Sequence, residues 1–201
     1  MNFILKSISY LFHPLIMPLV GVIFYFSKSP RFIPQPIIKA KIFALVLLTI
    51  LLPILLFFLL KSLKKISSIH LGSTEERRIP LAIYCGIIGL VLMRVLPSNE
   101  LIEPHFFMVG VLGSTLSCLI LAILNFKASI HMLAVGGVLM FFIALSIHFH
   151  ININGSIALI FIITGALATS RVHMRAHNAL ELAVGFIIGV VPQFIVLSYW
   201  L

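Results

Sequence analysis

From Ala128 to Ser170 the chain runs for 43 residues without a single Lys, Arg, Asp or Glu. A soluble domain has no place for such a run, because the outer face of each of its elements needs charge where it meets water. A membrane does: a span takes about 20 apolar residues, and an ionised side chain at the bilayer centre costs about 3 kcal/mol. The pattern recurs along the chain. Lys6 and Lys28 are separated by 21 uncharged residues, Lys41 and Lys61 by 19, Glu103 and Lys127 by 23, and 20 follow Glu181. Of the 201 residues, 61% are hydrophobic and 9% charged, with a mean hydropathy of +1.22. These features imply an all-α integral membrane protein. They exclude a disordered chain, a disulfide scaffold and, despite a net charge of +9, a nucleic-acid module. Cys85 and Cys118 both sit inside apolar runs, where a thiol behaves as a small hydrophobe.

The 43-residue run is too long for one crossing, and His148-Phe-His-Ile-Asn-Ile-Asn-Gly155 divides it into spans near 130–147 and 155–169. Counting Ile79–Pro97, which Arg94 interrupts near its end, the chain is expected to form a polytopic bundle of about seven transmembrane helices, or about six without that span. All of 1–201 reads as one membrane-embedded domain. The first span continues through Phe12-His13-Pro14 and Met17-Pro18 with no small-residue cleavage pattern, so it is expected to be retained rather than removed as a signal peptide. Pro14, Pro18 and Pro53 are predicted to kink their helices, and Gly136-Gly137, Gly185 and Gly189 to mark close helix packing.

Seven crossings alternate the connections between two faces. One face then collects the amino terminus, the 61–78 loop, the 126–129 connection and the 170–180 segment. It carries Lys61, Lys64, Lys65, Glu75, Glu76, Arg77, Arg78, Lys127, Arg171, Arg175 and Glu181 together with His131, His173 and His177. Guanidinium forks match phosphate oxygens and imidazoles exchange protons near neutral pH, so this mixture suggests a phosphate site. The lysines at 61–65, directly after a span, read instead as headgroup anchors. His13, His70, His105, His148 and His150 read as interfacial or helix-packing residues.

Three pieces of that face read together: Arg77-Arg78-Ile79-Pro80, then Lys127-Ala128-Ser129-Ile130-His131, then Ser170-Arg171, five residues, His177, three residues, Glu181. They resemble the signatures of the type 2 phosphatidic acid phosphatase superfamily: Lys, six residues, Arg-Pro; Pro-Ser-Gly-His; and Ser-Arg, five residues, His, three residues, Asp. The third fits except that Glu181 stands for Asp. The second keeps Ser129 and His131 without the Pro and Gly. In the first, one residue separates Arg78 from Pro80, and Leu71 stands at the family lysine. The resemblance covers about residues 74–190.

It implies a metal-independent lipid phosphate phosphatase without a cofactor, acting on a phosphatidate, phosphatidylglycerol phosphate or prenyl pyrophosphate type of substrate. His177 would be the nucleophile forming a phosphohistidine, His131 the general acid and then base, and Glu181 the residue that orients His177. Arg171, Arg78 and Lys127 would clamp the phosphate, Ser129 and Ser170 would donate further hydrogen bonds, and Arg77, Arg175 and His173 are further candidates. Helix starts after 129 and near 170–177 are expected to add backbone donors. A helix through 177–181 would place Glu181 one turn from His177. The partners implied are the bilayer and a phosphorylated lipid, with no nucleic acid; the location implied is a bacterial inner membrane with the site facing the periplasm.

The residues leave other readings open. The chain could bind or move a lipid phosphate without turnover, given its eroded first signature, or transfer the phosphate to an acceptor other than water. His173, His177 and Glu181, at four-residue spacing with His131 beside them, could instead hold a zinc-like ion in a transporter. Substrate headgroup, tail and oligomeric state are not written in the sequence.

Overall fold

The charge-free runs fold as helices, and the charges fall at their ends. The structure is a computed structural model that describes residues 2–66 and 72–201, with side chains from Ser7 onward. His70, Leu71 and the side chain of Lys6 lie outside the described residues. The helices are α1 (Asn2–Leu11), α2 (Met17–Lys28), α3 (Gln35–Leu45), α4 (Leu52–Ser62), α5 (Thr74–Arg94), α6 (Ile102–Ile123), α7 (Ile130–His148), α8 (Asn154–His173) and α9 (Ala179–Val196), with no strand among the described residues. A π-helical stretch, Val46–Leu51, joins α3 and α4 into one rod of 28 residues.

Among the described residues, five helices are long and apolar enough to cross a membrane: the rod Gln35–Ser62, α6, α7, α8 and Ala179–Tyr199. Their outer faces expose large apolar side chains such as Leu55, Phe58, Ile120, Ile162 and Phe194, the surface a bilayer would cover. The protein is an integral membrane helical bundle. Two of the seven expected crossings fall short. The first breaks around His13-Pro14, and α2 has only 12 residues, about 18 Å against a hydrocarbon core of about 30 Å. The other, α5, is 21 residues long but carries Glu75, Glu76, Arg77, Arg78 and Arg94.

The prolines act differently from one another. Pro18 does not kink α2 but sits in its first turn, where a missing N–H leaves nothing unpaired. Pro53 opens α4 directly after the π-helical stretch, whose wider turn accommodates the lost donor. Four helices end without glycine: Lys64, Asn125, His150 and Arg175 take φ of 56°, 62°, 51° and 50°. Each closes its helix with paired backbone bonds, as in Phe126 N–H to Leu121 O (2.8 Å) and Ala176 N–H to Arg171 O (3.0 Å), which satisfy carbonyls the helix leaves open.

The centre of the bundle is α7, with 61% of its span window buried against 11% for the Gln35–Ser62 rod. It packs closest on α9. A β-carbon on Gly185 would lie 2.6 Å from the Ser129 carbonyl oxygen, one on Gly136 would lie 2.9 Å from the Phe186 carbonyl oxygen, and one on Gly189 would overlap the Leu133 carbonyl. These glycines let the two backbones touch, as expected for a small-residue seam.

At the end of the bundle away from Ser129, Glu103 is fully buried. Its Oε1 pairs with Arg31 at 2.7 Å and His148 Nε2 at 3.2 Å, and its Oε2 accepts from the Tyr25 hydroxyl at 3.1 Å. The group ties the α2–α3 connection to α6 and α7. Glu103→Ala is expected to cost about 3 kcal/mol, the low end for breaking a buried pair because half-exposed Arg31 can return to water. Thermal unfolding in detergent reads this as a midpoint lowered by several degrees; an unchanged midpoint would mean the cluster holds nothing.

Candidate active site

The site begins at the first turn of α9. Asn178 caps that helix: its Oδ1 accepts from the Glu181 N–H at 2.9 Å, and Glu181 Oε2 accepts from the Asn178 N–H at 3.3 Å. This reciprocal capping folds the Glu181 side chain back over the helix start. The same Oε2 accepts from His177 Nδ1 at 2.6 Å. His177 and Glu181 therefore meet as expected, but not one turn apart on a helix: His177 lies before the cap, outside α9. The Asn-x-x-Glu spacing is a readable capping signal that points to this contact.

The start of α7 lies against that turn. Ser129 is buried, caps α7 by accepting from the Met132 N–H, and donates its own N–H to the Glu181 carbonyl at 3.0 Å. Gly185 permits the approach. One residue into α7, His131 points Nε2 at the Ser9 carbonyl, 3.2 Å away. The His13 ring meets the His131 ring edge-on, centroids 5.7 Å apart, and the Ser9 and Ser170 hydroxyls bond each other at 2.8 Å in a buried setting. Ser9 and His13, at the end of α1 and in the break that follows, thus join a site from which the sequence reading omits them.

Arg77, Lys127 and Arg78 are held by carbonyls. Arg77 is buried and donates Nη1 to the Ala128 carbonyl at 2.8 Å; Lys127 Nζ donates to Ala176 O at 3.2 Å. Arg171, partly buried, has its Nε shut away from solvent with no hydrogen-bond partner among the described residues. Arg78 turns elsewhere, donating to Ala122 O (3.2 Å), Ile123 O (3.4 Å) and Asn125 Oδ1 (2.9 Å) at the end of α6. Helical phase decides this: neighbouring positions point about 100° apart, so only one of the two arginines faces inward. His173 and Arg175 are exposed. Ser170 and Arg171 lie in the last turn of α8, not at a helix start, so the backbone donors expected near 170–177 come from α9 instead.

Among the described residues, Arg171, Lys127 and Arg78 make no ion pair with a carboxylate, and Glu181 is shared between His177 and a backbone N–H. Burial, followed by the Arg77 and Arg171 charges, pulls the His177 imidazole down to about 4 against the opposing pull of Glu181. Burial and then Arg77 likewise lower Lys127. His177 is therefore neutral at neutral pH, its Nδ1–H committed to Glu181. Its Nε2 carries a free lone pair, with no hydrogen bond among the described residues. The expected alternative of an ion on His173, His177 and Glu181 does not assemble: α8 stops at His173 and the chain turns before α9. Among the described residues no group of three or more His, Cys, Asp or Glu is placed to hold a metal.

Comparison of the chain with protein-family models, with curated proteins and with solved structures finds no match.

Proposed function

We propose that this protein hydrolyses a lipid phosphate at one membrane face, without a metal, through a phosphohistidine on His177. The observation that carries the reading is the His177–Glu181 pair at 2.6 Å set among Arg77, Lys127 and Arg171. A neutral imidazole with one nitrogen held by a carboxylate has the other available as a nucleophile. Lys127 and Arg171, which make no ion pair with a carboxylate among the described residues, can receive the phosphoryl oxygens, where charge builds in the transition state. His177 Nε2 attacks phosphorus, the ester P–O bond breaks, and the departing alkoxide takes a proton from His131. Water, deprotonated by His131, then cleaves the P–N bond and releases inorganic phosphate. Because Nε2 of His131 faces the Ser9 carbonyl, Nδ1 is the nitrogen assigned to this proton traffic.

The reading takes the chain as a divergent type 2 phosphatidic acid phosphatase, in a bacterial inner membrane with its site toward the periplasm. Its phosphate clamp is Arg77, Lys127 and Arg171 in place of Arg78. The test is phosphate release by purified protein in detergent, with chelator, across a panel of lipid phosphates. Radiolabelled substrate quenched in alkali should leave label on His177. Activity that requires added metal, or turnover without label, would overturn it. A second reading, binding without turnover, draws on Arg78 facing away from His177; saturable lipid-phosphate binding with no release would favour it.

The lowered His177 basicity sets the pH profile. The nucleophile is the neutral ring, so kcat/KM should hold as pH falls through 6.5 and decline only toward about 4. Stability follows the same sign. Below 6.5 the unfolded chain takes up a proton that folded His177 refuses, so this contribution is complete above 6.5 and is lost as pH falls toward 4. An acid limb centred near 6.5 would contradict the assignment.

A further inference from the structure

We infer that His13, in the break between α1 and α2, completes the phosphate site by donating its Nε2–H to a phosphoryl oxygen held by Arg171. The inference rests on the phosphatase reading for the anion that arrives, and on the local fold around His13 for the donor. That fold fixes the ring. Pro14 has no N–H, so the first backbone donor after His13 is Leu15. Leu15 N–H donates to His13 Nδ1 at 3.4 Å, and Ile16 N–H donates to the His13 carbonyl at 2.9 Å. Burial, followed by the Arg171 charge, holds the imidazole below its ordinary value, so the ring is neutral at neutral pH. A ring nitrogen that accepts carries no proton, which places the single hydrogen of the neutral ring on Nε2. That N–H has no hydrogen-bond partner among the described residues.

The turn is docked against the site. The Ser9 carbonyl accepts from His131 Nε2 at 3.2 Å, and the Ser9 hydroxyl bonds that of Ser170, the neighbour of Arg171, at 2.8 Å. The His13 ring stands edge-on to that of His131, centroids 5.7 Å apart. The Arg171 charge bears on both His13 and His177, so the guanidinium is the group these two rings share. Its own Nε is shut from solvent without a partner among the described residues. Two N–H donors beside one guanidinium thus lack an acceptor, and a donor left bare away from water is costly. A phosphoryl group brings enough oxygens for both, and its charge strengthens each bond. Of the two open ring nitrogens, His177 Nε2 offers a lone pair to phosphorus and His13 Nε2 offers a proton to an oxygen.

The test is binding of inorganic phosphate, and of dioleoyl phosphatidate in mixed micelles, to purified wild type, His13→Leu and His13→Gln that elute alike in detergent. Loss of a hydrogen bond to a charged oxygen should raise Kd about tenfold for both ligands in His13→Leu. His13→Gln, whose amide N–H reaches about as far as Nε2, should bring Kd back to within about threefold of wild type. Nuclear magnetic resonance of wild type labelled at its histidine nitrogens gives a reading independent of variant folding. The His13 signals, identified by their absence in His13→Gln, should show the proton on Nε2, and that nitrogen should shift as phosphate saturates. A proton on Nδ1, a signal indifferent to saturating phosphate, equal weakening in both variants, weakening confined to the lipid, or a wild type that binds neither ligand would each overturn the inference. None of these readouts needs turnover. Binding that depends on His13 without phosphate release removes the phosphatase reading alone, whereas release that His13→Leu leaves unchanged removes the donor alone.

Discussion

On the phosphatase reading, phosphate release is expected to fall by about a thousandfold or more, to the rate of buffer alone, when His177 is replaced by glutamine. Glutamine keeps polarity and approximate size but has no nitrogen lone pair able to attack phosphorus. The fold should tolerate it, because the single hydrogen bond His177 makes among the described residues is the one to Glu181. Glu181→Gln gives the sharper companion experiment. Glutamine still serves at the third position of a capping box, so α9 keeps its start, while the charge that orients and supports the imidazole is removed. A loss of about a hundredfold in kcat with little change in KM is expected, measured beside an unchanged thermal midpoint. His177→Gln retaining about a tenth of wild-type turnover would remove His177 from the chemistry, and Glu181→Gln retaining it would remove only the role of the Glu181 charge in supporting the imidazole.

Gly189→Val is expected to abolish assembly of the bundle. A β-carbon at 189 overlaps the carbonyl of Leu133 and lies 2.9 Å from its carbonyl carbon. A backbone carbonyl within a continuous helix has no rotamer by which to withdraw, so α9 must move away from α7. That displacement removes the seam that holds Glu181 beneath Ser129. In size-exclusion chromatography the variant should run as aggregate, and Gly189→Ala should fold with a lowered midpoint and impaired turnover. A monodisperse, wild-type-like Gly189→Val would mean that the α7–α9 seam is not as close as described.

The membrane class and most of the site are legible because charge is so sparse. With 19 Lys, Arg, Asp and Glu in the chain, most of them mark boundaries, and the structure gathers Arg77, Lys127, Ser129, His131, Arg171, His177 and Glu181 at one end of the bundle even though two of the seven crossings on which parity counted fall short. Phase within a helix is harder to read at an end, which is why Arg77 and Arg78 exchange roles. Ser9 and His13 escape notice because a serine and a histidine in an apolar stretch look like packing. Only the turn-back at Pro14 swings them against His131 and Ser170. Glu103 looks like a boundary marker, yet it is fully buried because Arg31, His148 and Tyr25, distant in sequence, converge on its carboxylate.

That Arg171 and Lys127 meet no carboxylate among the described residues has a consequence for anion exchange. An anion arriving at Arg171 or Lys127 displaces no carboxylate, so entry breaks no ion pair. The same is true for whatever leaves. If the proposed hydrolysis occurs, inorganic phosphate meets the same donors as the ester it came from, without the hydrocarbon anchor but with comparable charge. On the phosphatase reading, egress would compete with chemistry for control of the rate, and the phosphate concentration on that side of the membrane would act as a brake on turnover.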